Sequence, residues 1–87
     1  MAWKIKFRPG TLKDLSKLDS QIQKRLLDFL DNLPSNPRQK GIALKTGKSD
    51  PPLWRYRVGN YRIICRLRDE DYTVLILRIG HRGKIYT

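Results

Sequence analysis

Eighty-seven residues with 39% apolar content suffice for one compact domain spanning residues 1–87, with no metal or disulfide required. Nineteen Lys and Arg against eight Asp and Glu give a net charge of +11, which calls for an anionic partner: RNA, DNA, acidic lipid or an acidic protein. A single cysteine, Cys65, excludes an internal disulfide and a cysteine-cluster zinc site, a single histidine excludes a multi-histidine metal site, and no apolar run reaches membrane-spanning length.

In chain order, residues 2–7 alternate, with Trp3, Ile5 and Phe7 on one side and Lys4 and Lys6 on the other, which predicts a half-buried strand. Pro9-Gly10 ends it. Thr11 with Asp14 three residues later has the spacing of a capping box, and Leu12, Leu15 and Leu18 follow at helical intervals. Asp19-Ser20 breaks this helix and caps the next, with Gln23 three residues after Ser20. Ile22, Leu26, Phe29, Leu30 and Leu33 then share one helical face before Pro34. A strand therefore leads into a helical hairpin.

Residues 34–52 read as loop, with Pro34, Pro37, Pro51, Pro52, Gly41 and Gly47. Arg38, Lys40, Lys45 and Lys48 lie here with no acid before Asp50. Two readings stand: a solvated basic loop, or a loop that contacts phosphates beside the sheet. Strands are then expected over residues 53–58, 61–67 and 72–79. Gly59-Asn60 is a two-residue hairpin signal, which sets Val58 opposite Tyr61 and Arg57 opposite Arg62. Two cations directly opposed repel, and no carboxylate in either strand relieves them. An anion met at that face, such as a phosphate backbone, would do so. Tyr61, Ile63, Cys65 and Leu67 form the core face of their strand, Arg62, Ile64, Arg66 and Arg68 the other. The third strand is apolar on both sides from Val74 to Leu77 and belongs inside the sheet. The order β-α-α-β-β-β gives an α+β fold, an antiparallel sheet packed on one face against an N-terminal helical hairpin.

No acidic pair lies in the basic region, so two-metal nuclease chemistry has no ligands, and no phosphate loop or nucleophile elbow is present. No cofactor is expected. Metal-free RNA cleavage remains feasible, because the substrate's own 2′-hydroxyl is the nucleophile. The protein must deprotonate it, stabilise charge on phosphorus and protonate the leaving oxygen. Arginine suits the second task and is a poor base for the same reason. That leaves His81, Tyr86, Lys84 or Lys45 for proton transfer. Tyr86 could also stack on an unpaired base. Each has a structural reading as well: His81 at a strand end, Tyr86 as a last anchor on the core.

These residues resemble a known family. Phe7-Arg8-Pro9, the segment from Leu12 to Leu18, Asn36-Pro37-Arg38, Leu44-Lys45, the run from Leu53 to Ile63, Arg78 to Arg82 and Ile85-Tyr86 are similar to the RelE/ParE superfamily, the toxic partners in prokaryotic toxin–antitoxin pairs. The specific pieces are WRYRVGNYR and GHR with a following tyrosine. The resemblance is to the RelE-like branch, whose members cut mRNA in the decoding site of the ribosome; the ParE branch inhibits DNA gyrase. Carried over by position, it implies a catalytic face of Arg55, Arg57, Arg62, Arg82 and Tyr86, with His81 a second candidate for proton transfer. Some RelE-type members carry lysines where this chain has Arg55 and Arg57, which leaves the general base open. Arg38, Lys40, Lys45, Lys48 and Lys84 are the expected contacts to ribosomal RNA.

The expected protein is thus a type II toxin: a metal-independent, ribosome-dependent endoribonuclease, monomeric when free, cytoplasmic, without a membrane partner and neutralised by an acidic antitoxin. The alternatives are a ParE-like gyrase inhibitor without enzymatic activity and a basic RNA-binding module without catalysis.

Overall fold

The structure is a computed structural model, and it describes residues 3–33, 36–44, 53–81 and 83. Strand β1 (Lys4–Phe7) leads into helices α1 (Pro9–Ser16) and α2 (Ser20–Asp31), followed by β2 (Ile42–Ala43), β3 (Trp54–Val58), β4 (Tyr61–Arg68) and β5 (Thr73–His81). The strands form one sheet in the order β1-β5-β4-β3-β2.

The α+β architecture expected from the sequence is present, with two corrections to the sheet. It is mixed, because β1 lies parallel to β5, pairing Lys4 with Thr73 and Phe7 with Ile76. A parallel pair needs a long crossover, and here the whole intervening chain supplies it. The second correction is β2, two residues inside the expected loop, which pair antiparallel with Arg55 and Trp54. Gly41 precedes it because the backbone there passes too close to β3 for a side chain. A Cβ would stand 2.5 Å from the Arg55 carbonyl oxygen and 2.7 Å from Trp54 Nε1.

The helix starts also differ from expectation. α1 begins three residues early, with Arg8 at its cap and Pro9, whose fixed φ suits a first helical turn, as its first residue. Thr11 is therefore inside the helix and not its cap. Its buried hydroxyl lies 3.2 Å from the Ile76 carbonyl and 3.1 Å from that of Leu77, while the Arg8 amide donates to Ile76 O at 3.0 Å. Carbonyls on β5 that β1 no longer reaches have captured the residue that resembled a cap. For α2 the cap is Asp19, whose carboxylate accepts from the Gln21 amide at 2.8 Å. Gln23 does not reach back to Ser20. Its side-chain amide donates to Ser16 O and Leu18 O, fastening the end of α1 to the start of α2.

One face of the sheet carries the core. Leu15, Leu26, Leu30 and Leu33 from the helical segment pack on Tyr56, Val58, Ile63, Cys65, Leu67, Val74, Ile76 and Ile79. Tyr56 is fully buried, donates its hydroxyl to Pro37 O and lies 5.5 Å from Phe29, ring to ring. Burial raises its phenol far above the ordinary value and pushes the Cys65 thiol up to about 12, so Cys65 is an inert core residue as its strand position implied.

Register along β5 slips once. Ile64 pairs with Arg78 and Cys65 with Ile76, leaving Leu77 as an extra residue. This β-bulge turns Ile79 back to the core and sends Arg78 to the opposite face.

Candidate nucleic-acid interface

The hairpin at the centre of the site follows from its turn. Gly59 has φ +61, whereas Asn60 does not take a positive φ, the combination found in type II′ turns. The two-residue loop fixes the register: Val58 opposes Tyr61, and Arg57 opposes Arg62. The expected juxtaposition of two cations is thus present.

Pairing then distributes charge over the face that the helices leave open. Arg57 and Arg62 share a cross-strand row with Gly80, and Arg55 shares the next with Ile42, Ile64 and Arg78. Gln39, Lys40, Gly41, Ile42, Arg55 and Arg57 line a hollow of about 260 Å³ on this side. Among the described residues its lining contains no acid. Arg57 is exposed and makes no hydrogen bond or ion pair among the described residues. Arg62 behaves differently. It is 8% exposed, and its Nη1 donates to Gly59 O at 3.0 Å and Tyr61 O at 2.9 Å. Arg62 therefore braces the turn as well as carrying charge. On the other side of the same turn, the Arg25 guanidinium lies 3.0–3.2 Å from where a Gly59 Cβ would stand.

The other expected site residues divide. Lys40 joins the hollow, and its Nζ lies 3.4 Å from Asn32 O. Arg38 stands apart in a two-pronged pair with Asp69, Nη1 to Oδ1 at 3.0 Å and Nη2 to Oδ2 at 2.7 Å, and lies 5.7 Å from the Trp3 ring centroid. That contact keeps the Arg38 guanidinium charged and draws the Asp69 carboxyl below its usual range. It offsets the charge Arg38 was expected to offer to RNA. His81 is not on the arginine face. It pairs with Tyr61, its ring edge-on at 5.6 Å, and Tyr61 packs on the core. Strand alternation separates it from Arg62, whose partner is the preceding Gly80. Lys45, Lys48, Arg82, Lys84 and Tyr86 lie outside the described residues.

The sequence reading also left residues out. Arg66 pairs across with Leu75, beside Lys6, and Arg68 with Thr73, beside Lys4. With Arg78, these residues extend the basic face across the whole sheet. The alternation of Lys4 and Lys6 was visible, but the strand they adjoin was not.

Helices on one side of a mixed sheet, with a cation-lined hollow on the other, define a small α+β protein with a basic open face. Residues 5–86 match the family described as ParE toxin of type II toxin-antitoxin system, parDE. Toxin RelG of Mycobacterium tuberculosis is 32% identical over 87 residues, covering 99% of this chain and 98% of that protein. The mRNA interferase toxin RelE of Escherichia coli K12 is 27% identical over 84 residues, covering 97% and 87%. Among solved structures, the toxin–antitoxin complex RelBE2 from M. tuberculosis contains a chain with TM-score 0.81 and 30% identity, covering 94% of this chain and 100% of that one. The RelE–RelB complex from Pyrococcus horikoshii gives 0.79 and 31%, covering 97% and 99%. The chain belongs to the RelE/ParE superfamily of type II toxin–antitoxin toxins, in its RelE-like branch.

Proposed function

We propose that this toxin is a metal-independent endoribonuclease that cleaves mRNA on the ribosome and is held inactive by an acidic antitoxin. The observation that carries the reading is the cation-lined hollow on the open sheet face, where Arg55 and Arg57 of β3 stand beside Lys40 with no acid among the described lining residues. The mRNA interferase among its relatives supports the same reading. The 2′-oxygen attacks phosphorus, its proton passes to a base, the 5′-oxygen leaves with a proton from an acid, and a cyclic phosphate remains. Arg55, Arg57 and Arg82 neutralise the charge that grows on the phosphoryl oxygens. Arg62 holds the β3–β4 turn and so fixes where Arg57 stands. Tyr86 orients or deprotonates the 2′-hydroxyl, or stacks on the base. His81, exposed and edge-on to Tyr61, is the second candidate for proton transfer, reached from the helix side of the sheet. Lys45, Lys48 and Lys84 grip ribosomal RNA. For the partner, net charge +11 favours an acidic protein, and solved relatives are complexes of RelE with RelB.

The test is induction in cells followed by mapping of new 5′ ends on translated messages, with Arg57→Ala as the control. Cuts that follow the reading frame and vanish in the variant support the proposal. A supercoiling defect without cuts supports gyrase inhibition instead, the reading that the ParE description of the family favours.

A further inference from the structure

Beyond the hollow, the open face carries a second set of cations in regular order. Across β3, β4, β5 and β1, successive same-face rows hold Arg57 with Arg62, Arg55 with Arg78, Arg66 with Lys6, and Arg68 with Lys4. Each row carries two cations, and the rows advance by two residues along a strand, ~6.7 Å. That is close to the separation of neighbouring phosphates in an extended single strand. Between the cations lie Ile42, Ile64, Leu75, Thr73 and Gly80. No Phe, Trp or Tyr occurs in these paired rows, so the rows themselves offer no platform for base stacking. At the far end of β4 the turn carries Asp69, Glu70 and Asp71, with Asp71 3.6 Å from Arg68, so negative charge closes the track there.

We infer that the β1–β5 half of the open face, marked by Lys4, Lys6 and Arg68, is a backbone track for single-stranded RNA that continues from the hollow. It grips phosphates without reading bases. The inference rests on the RNA-directed reading of the hollow, and it adds a contact region that the cleavage chemistry does not use. Lys4 and Lys6 are exposed and make no side-chain hydrogen bond or ion pair among the described residues, so removing them leaves the core intact.

The experiment measures binding of fluorescent 2′-O-methyl oligouridylates, which lack the nucleophilic hydroxyl and cannot be cut by attack of the 2′-oxygen. Oligomers of about 4 and about 12 nucleotides are titrated at several salt concentrations. Wild-type toxin should bind the longer one more tightly and with a steeper salt dependence. The triple variant Lys4→Gln, Lys6→Gln, Arg68→Gln should bind the short oligomer as wild type does. On the long oligomer it should lose about 2 from the slope of log affinity against log salt, at ~0.7 per displaced cation contact. An unchanged melting temperature shows that the variant is folded. If it is not, Lys4→Gln with Lys6→Gln alone should remove about two thirds of the effect. Equal slopes for wild type and variant would overturn the inference. So would tighter binding to duplex RNA of the same length, or a length-independent affinity alongside tight binding of polyglutamate, which would give the face to an acidic protein. The assay contains no ribosome, so loss of the cleavage reading leaves these outcomes unaffected.

Discussion

The two faces of the sheet are made by the same strands and have opposite logic. On the helix side, Tyr56, Ile63, Cys65, Val74 and Ile76 are all sealed from solvent, and position follows shape. On the open side, the alternate residues of the same strands are Arg55, Arg57, Arg66 and Arg78, and position follows charge. Packing tolerates little change on the first face, since interiors are close-packed. Packing does not require Arg57 on the second: among the described residues it touches no carboxylate, and it bears repulsion from Arg62. The difference teaches that stability and function here are separable by side of the sheet, with Arg62 as the residue that belongs to both.

The separation can be broken or sharpened by substitution. The largest stability effect should come from Leu26→Ala, which empties a fully buried site between α2 and the sheet and should cost about 2–5 kcal/mol, read as a lower urea midpoint. Arg57→Ala should do the reverse. Cleavage in a single-turnover assay on programmed ribosomes should fall on the order of a hundredfold, as for loss of one transition-state donor, with the melting temperature unchanged. A stability loss comparable to that of Leu26→Ala would end the comparison. Arg62→Ala should fall between the two, losing both cleavage and about 1 kcal/mol of stability, because the carbonyls of Gly59 and Tyr61 lose their donor. Thr11→Val keeps the shape and removes the hydroxyl over the bulge, and should cost about 1–3 kcal/mol in the same unfolding assay.

The smallest effect is alkaline. Tyr56 and Cys65 both have raised folded values, so the neutral forms are favoured in the fold. Their stability contribution is full below 9.0, the ordinary thiol value, and declines as the pH rises towards about 12. Tyr56 adds to the decline above its ordinary value of 10.0. Urea midpoints should therefore fall above pH 9, and Tyr56→Phe should flatten the fall.

Much of this was legible in the sequence, for local reasons. Gly59-Asn60 demands a two-residue turn, and that alone set Arg57 against Arg62. The helical spacing of Leu26 and Leu30 gave the buried face of α2, and Leu33 just past its end is buried with them. What was not legible depends on distant groups. Nothing in residues 4–7 announces a parallel partner at residues 73–76, so Lys4 and Lys6 could not be added to the basic face. Thr11 carries a capping signature, yet carbonyls 65 and 66 residues away claim its hydroxyl. Arg38 stands alone in a basic loop until the fold brings Asp69 to it across 31 residues. The side of the sheet on which His81 stands follows by counting two residues on from buried Ile79, which sets it against Tyr61.

The parallel pairing of β1 with β5 also bears on how the protein is made. Lys4–Phe7 is synthesised well before its partner Thr73–Ile76, with both helices and three strands between them. The helices between them can form from neighbouring residues as they emerge, but the sheet closes only once Thr73–His81 has left the exit tunnel. The basic face needs β4 and β5 side by side and extends onto β1. A nascent chain whose β5 has yet to emerge therefore lacks the finished surface.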